Sequence, residues 1–531
     1  MAELFPRLRH VCDLDAAYLR EYSGLHDEYD GTIVDLSPAG VASALAALGG
    51  PTLDDAHDEA QLAATENAMR TRFGRIRQHR WDPWVHIEAL DLSPYDRPYD
   101  DEAVRVRARR RHLRLWPDAV DNAIEALDEL SSSVAGMFLP AARGMSAEVR
   151  ADDGEDGVRA LAALERLTAH LERAAREAAP AAGLGRADLT ALLGCEDRVP
   201  VDLDELAAMA DSEYARMSDI LDDAAARLDP AGADDPAART RRLSARVRAD
   251  HGDFPRILAD TQAQVALAAR FVRERELVPV VDEACVIEPS PPARSWAAGR
   301  VSWTAPWETR GHSLFHVTGP SPHWSLDDHR AWLSRFNRPA MAVMAVHEIG
   351  PGHCSHALMM GKVDRPIRKT LWSELFFEGW AHYAEEMMWE EGYQDDSPLY
   401  QFGMAQEAMM RVVRVQAALG IHTGALTLDD AIALFERKAF LAGPAARAEA
   451  LRGVWEPTYI RYTWGKVLMR RLRDQAKTAW GSGFTLPRFH RELMAFGSPP
   501  VGLVASAMGI GPAPLPQPGP GAPADQGSGP A

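Results

Sequence analysis

Four residues within ten positions carry metal-ligand chemistry: His347, Glu348, His353 and His356, in the stretch HEIGPGHCSH. A zinc-binding helix of the His-Glu-x-x-His kind places two imidazoles at i and i+4 on one face, with the glutamate as general base. Here position i+4 from His347 is Pro351, and the next histidine is at i+6. On an unbroken helix that position lies about 120° round and about 9 Å along the axis, a poor chelate. Gly350-Pro351-Gly352 stands between the two histidines. Proline removes a helical hydrogen bond and crowds the carbonyl four residues back, which is that of His347. The flanking glycines tolerate unusual dihedrals. The insert therefore predicts a kink or bulge between Gly350 and Gly352 that carries His353 back over His347. His356, at i+9, is the weaker ligand candidate.

A second stretch, SELFFEGWAHYAEE at 373–386, supplies the missing carboxylate. Ser373 is a good N-cap for a helix running to about Glu391. Glu378, His382 and Glu385 share one face at i, i+4 and i+7. Flanking Phe376, Phe377, Trp380 and Tyr383 predict a buried Glu378, and a buried carboxylate needs a cation or a donor. A carboxylate on a following helix is the third-ligand arrangement of gluzincins. Three protein ligands leave one zinc position open for water, and Glu348 is placed to act as its base. His382 and Glu385 are candidates to orient His347 or Glu378 from behind, with core packing the alternative for His382. Arg411 and Arg414, in MMRVVRVQAALGIH, are candidates for holding a substrate carboxylate, against a solvated or ion-paired role.

The pair HExxPGH…EGWAHYAE resembles the bacterial family catalogued as domain of unknown function 885, a zincin-like metallopeptidase group. PTYIRYTWGK (457–466), LRD (472–474) and LPRFHRELMAFGSPPVGLV (486–504) are similar to that family's C-terminal pattern. The resemblance is close over residues 300–505. It implies an all-α fold like the oligopeptidase-type zincins, with a deep cleft, zinc on His347, His353 and Glu378, and Glu348 as base. It also implies Tyr462 as oxyanion donor, with Tyr459 and His422 as alternatives. Tyr459 is a candidate substrate contact as well. One zinc ion is expected, with manganese or cobalt open.

The rest of the chain reads as the scaffold for these pieces. With 531 residues, 46% hydrophobic and 25% charged, it has an ordinary globular composition. A net charge of −19 argues against nucleic-acid binding. The four cysteines are dispersed, with no CxxC pair, which fits a reducing compartment. The N-terminal segment has charges throughout and no apolar core, and no apolar run is long enough for a bilayer, so the expected location is cytoplasmic with no membrane contact. Amphipathic helices are predicted over 13–25, 54–80, 157–178 and 202–228. Strand-like segments are predicted over 278–288, 301–304 and 313–318, giving a small sheet just before the motif helix. The expected organisation is a helical half at 1–277, a catalytic half at 278–510, and a Pro/Gly-rich disordered tail at 511–531. The favoured function is zinc-dependent hydrolysis of amide bonds in short peptides. Two alternatives stay open: a metal-dependent enzyme acting on an amide-containing metabolite or its precursor, and a non-catalytic helical binding protein with a vestigial metal site.

Overall fold

A computed structural model of the chain describes residues 4–231, 235–280 and 284–511; the expected tail at 511–531 lies almost wholly outside them. The fold is mainly α-helical with one small three-stranded sheet. The long helices form where alanine, leucine and charged residues alternate at helical spacing. Leu203–Leu228 (α1) starts where the Asp202 side chain accepts from the backbone N–H groups of Asp204 and Glu205. Its buried stripe of Leu206, Ala210, Met217 and Leu221 packs along Leu399–His422 (α6). α6 is buried over almost its whole length, so it is the central strut of the molecule. The main core is continuous from Trp84 to Val504, joining the N-terminal helices to the C-terminal ones.

Phe254–Glu274 (α2) leads into the sheet of Val286–Pro289 (β1), Gly299–Ser302 (β2) and Leu314–Val317 (β3). The strand order is β1-β3-β2, with β1 parallel to β3 (Val286 opposite Leu314) and β2 antiparallel to it (Gly299 opposite Val317). The first strand is shorter than the expected 278–288. Leu277 and Val278 are buried in the main core instead, where His490 Nδ1 donates to the Leu277 carbonyl at 2.7 Å. The expected helix over 13–25 is also divided, into Pro6–Leu14 and Ala16–Tyr22, with Asp15 at φ −120° between them. The helix over 54–80 is Ala56–Met69 continued by one wider turn, Arg70–Arg75.

The site is carried by Arg338–Glu348 (α3), His353–Met360 (α4), Glu374–Glu390 (α5), Pro444–Trp455 (α7) and Arg461–Trp480 (α8). α5 and α8 cross at Gly379 and Gly465. A Cβ added to Gly465 would lie 2.3 Å from the Leu375 carbonyl oxygen, and one on Gly379 would lie 2.6 Å from the Gly465 backbone. The crossing is thus backbone on backbone, next in sequence to Glu378 and three residues from Tyr462. Below it, Lys466 Nζ sits 2.8 Å from both Glu213 and Glu386, tying α1, α5 and α8 through one buried cation.

Gly465→Ala must push α5 and α8 apart. Overpacking of this kind costs about 1–3 kcal/mol, so thermal denaturation should show a lowered midpoint; an unchanged midpoint would mean that the helices do not meet this closely.

Candidate metal centre

α3 begins at Asn337, whose Oδ1 accepts from Ala340 N–H, and Pro339 stands in its first turn. Every residue from Pro339 to His347 is buried. The helix ends at Glu348 and resumes at His353, with residues 349–352 looped out. The loop keeps its backbone satisfied through wider bonds: Gly350 N–H to Ala345 O, Gly352 N–H to Val346 O, and Ser355 N–H to Ile349 O. Trp380 Nε1 donates to Pro351 O at 3.0 Å, pinning the loop to α5. Only glycine fits at 352, because a Cβ there would stand 1.8 Å from the His347 carbonyl oxygen. The Gly350–Pro351 bond is cis. The result is the fold-back that the insert predicts: the His347 and His353 rings lie 4.8 Å apart and nearly perpendicular, at 82°.

The third group comes from α5, capped by Ser373 Oγ, which accepts from Phe376 N–H. Glu378, one turn in, places Oε2 3.3 Å from Nε2 of His347 and 3.3 Å from Nε2 of His353. The three ligand atoms lie within 4.8 Å of one another. Ligands about 2.0–2.1 Å from a tetrahedral metal are separated by about 3.3–3.4 Å, so two of these separations equal a coordination edge. Glu378 Oε2 is buried with no hydrogen-bond donor, and an orphaned carboxylate oxygen facing two imidazole nitrogens is a donor set that fits a divalent cation. Burial would raise the Glu378 carboxyl, but the two histidines outweigh it and hold it well below the usual range.

Behind the ligands stands Glu385, fully buried. His347 Nδ1 donates to its Oε1 at 2.7 Å, Arg411 Nη2 reaches the same oxygen at 3.0 Å, and His382 Nδ1 donates to Oε2 at 3.0 Å. The first bond assigns a proton to Nδ1 and leaves Nε2 as the nitrogen that can bind a metal once its own proton is lost. Burial pushes Glu385 up, and Arg411, His382 and His347 more than reverse that, keeping it ionised. Burial and Arg411 push His347 down, but Glu378 and Glu385 outweigh them and raise it to about 9.

These groups open on a cavity of about 440 Å³ that is also lined by the N-terminal half (Tyr18, Tyr22, Arg72, Glu88) and by Arg300 of β2. Glu348 is half-buried on its wall and has no hydrogen bond or ion pair among the described residues, leaving its carboxylate free to act as a base. Tyr462, in the first turn of α8, lies nearly parallel to the His347 ring at 6.1 Å. Arg411 and Arg414 also line the cavity, but Arg411 is bound to Glu385 and Arg414 to Glu449 through a two-bond fork.

Other expected positions fall elsewhere. His422 does not reach the cavity: at the end of α6 its Nε2 donates to Gly453 O at 2.9 Å and its Nδ1 accepts from Leu184 N–H, so both nitrogens tie backbone segments together. Tyr459 is fully buried in the 3₁₀ turn Pro457–Ile460, off the cavity wall, because that turn directs it into the core. His356 is stacked on Phe377, bonds Gly497 O at 3.1 Å, and is pushed down by burial to about 3. Arg452, which donates to the Tyr462 hydroxyl at 3.0 Å, is a site residue that the sequence did not single out. Its only signal was an i,i+4 pairing with Glu456.

The chain matches, over residues 19–508, the family described as bacterial protein of unknown function (DUF885), and it belongs to that family. No curated protein matches it. A solved structure from Shewanella oneidensis, of a protein of unknown function provisionally described as a lipoprotein, aligns with TM-score 0.71 at 18% identity, covering 95% of this chain and 100% of that one. A second, from Colwellia psychrerythraea and provisionally described in the same way, aligns with TM-score 0.74 at 16% identity, covering 94% and 96%. The fold is shared with both.

Because the raised His347 stays protonated below about 9 in the metal-free chain, cation binding must expel that proton. Zinc affinity should therefore rise with pH up to about 9 and level off above it. Calorimetry in buffers of different ionisation enthalpy should show about one proton released per site near neutral pH. An affinity independent of pH between about 7 and 9 would contradict this account of His347.

Proposed function

We propose that this family member is a zinc-dependent hydrolase of amide bonds in short peptides. The observation that carries the reading is the convergence of His347, His353 and Glu378 on one point at the wall of a cavity, beside the unpaired carboxylate of Glu348. A zinc ion held there supplies Lewis acidity and a water acidified to near neutral pH. Glu348 takes the proton of the attacking water and passes it to the leaving amine. Tyr462 donates a hydrogen bond to the oxyanion that develops on the carbonyl. Glu385 holds His347 in the tautomer that offers Nε2. Manganese and cobalt suit the same donors less selectively.

A cavity of about 440 Å³ is of ligand-pocket size, which favours short peptides over folded proteins. Arg411 and Arg414 meet a substrate as already neutralised ion pairs, so neither is assigned a substrate carboxylate. A purely structural metal site is closed by four protein ligands. Among the described residues the candidate group has three, which supports an open, catalytic site.

The compartment we propose is the cytoplasm, on four buried cysteines that form no disulfide. No helix among the described residues is long and apolar enough to cross a membrane. The provisional description of the two structural relatives as lipoproteins would, if carried to this chain, mean a lipid-anchored form. Recovery of the native protein in the membrane fraction after cell breakage would overturn the cytoplasmic assignment.

Elemental analysis should find one zinc per chain, and a peptide library should be cleaved by the zinc-loaded protein and spared after chelation. Glu348→Gln should keep its zinc and lose about 10²–10⁴-fold in turnover. Full turnover by that variant would sink the mechanism, and an inability to bind any divalent metal would sink the whole reading.

A further inference from the structure

The Tyr462 hydroxyl has one hydrogen bond among the described residues, and it is an acceptor in it: Arg452 Nη2 donates at 3.0 Å. A phenol has one proton to give and an oxygen that accepts. With the acceptor side occupied by an arginine that has no acceptor of its own, the hydroxyl proton must point elsewhere. The ring lies on the cavity wall, nearly parallel to His347, and the phenol is within electrostatic reach of Glu378. We propose that Arg452 is a positioning residue: by donating to the Tyr462 oxygen it turns the tyrosine's own O–H toward the His347–His353–Glu378 centre, where it serves as the oxyanion donor. This role rests on the hydrolase reading above.

The surroundings fit that task. Arg452 sits in the last turn of α7 and is anchored through Nε by Glu456, four residues on. Glu456 is itself held by Arg461. The guanidinium is therefore fixed in plane before it meets Tyr462, which the single ammonium of a lysine would not achieve. Arg414 lies over the ring at 4.7 Å and Arg411 at 5.9 Å, so the ring is held between guanidinium groups that are themselves anchored to Glu449 and Glu385. Burial pushes the phenol up, Arg452 opposes that most strongly, and it stands at about 12. Arg452 thus divides its donors between the Glu456 carboxylate and the Tyr462 hydroxyl, whereas Arg335 and Arg414 each form a two-bond fork with one carboxylate.

The first test uses the metal-free full chain labelled with ¹³Cζ-tyrosine, the Tyr462 resonance being assigned by its loss in Tyr462→Phe. Arg452→Gln should shift that resonance; an unmoved resonance overturns the proposal. The second test is a double-mutant cycle on the zinc-loaded protein with a cleavable peptide. Tyr462→Phe should lower kcat on the order of 10²-fold. Arg452→Gln should lower kcat by about tenfold, the size of one net hydrogen bond, with KM little changed. In the Tyr462→Phe background, Arg452→Gln should cost nothing further. Arg452→Lys, which keeps a donor and the charge facing Glu456, replaces the glutamine variant if that one does not fold, and must show the same non-additivity. Additive losses, or an effect confined to KM, in an active wild type overturn the role of Arg452 alone. A wild type that binds zinc and cleaves no peptide overturns this role and the hydrolase reading together.

Discussion

The buried carboxylate of Glu385 is the constraint around which the candidate centre is built. A charge with no solvent contact is costly unless it is paired and hydrogen-bonded, and Glu385 is satisfied by three side chains from three helices. His347 comes from α3, His382 from Glu385's own helix, α5, and Arg411 from α6. The Glu385 backbone carbonyl also accepts from Tyr400. Removing Arg411 would leave the charge without its cationic partner in the core, and the bonds from the three helices lock them in mutual register at this point. The same contact sets the protonation of His347 and so decides which nitrogen faces the cavity. Structure and chemistry are joined here: the group that the core must neutralise is the group that orients the ligand.

Two close backbone approaches translate that register into site geometry. Gly352 lets the chain fold against the His347 carbonyl, returning His353 to its partner after four looped-out residues. Gly379 and Gly465 let α5 and α8 touch, bringing Glu378 and Tyr462 to the same wall. Neither approach tolerates a Cβ without a shift of backbone. The placement of these candidate ligands thus depends on the absence of side chains at three positions, while the long apolar helices supply the bulk of the scaffold.

Much of this was legible in the sequence, and the failures have physical causes. The Gly-Pro-Gly insert announced both the break in the zinc motif and the means of closing it, because proline and glycine act on the backbone locally. Glu385 was legible from helical spacing; Glu378, expected to be buried by its aromatic flanks, buries its Oε2 but keeps its side chain 17% exposed, because it opens on the cavity. The helical class and the small sheet followed from periodicity and β-branching, although Val278 went to the core and the first strand began later. His422 and Tyr459 misled because residue type shows chemical capacity and not direction. One closes two backbone segments and the other is turned inward by a 3₁₀ turn. Arg452 was invisible because its partner is ten residues away across a helix boundary, beyond any helical repeat. The cavity lining contributed by Tyr18, Tyr22, Arg72, Glu88 and Arg300 depends on tertiary packing alone.

We propose that His347, His353 and Glu378 form an open metal site. Anomalous diffraction from zinc-loaded crystals, recorded on both sides of the zinc edge, tests it most directly. One zinc per chain is expected, about 2.0–2.2 Å from His347 Nε2, His353 Nε2 and a Glu378 oxygen, with a non-protein ligand completing the coordination toward the cavity. A zinc closed by a fourth protein side chain, or bound anywhere other than between these three residues, would contradict it.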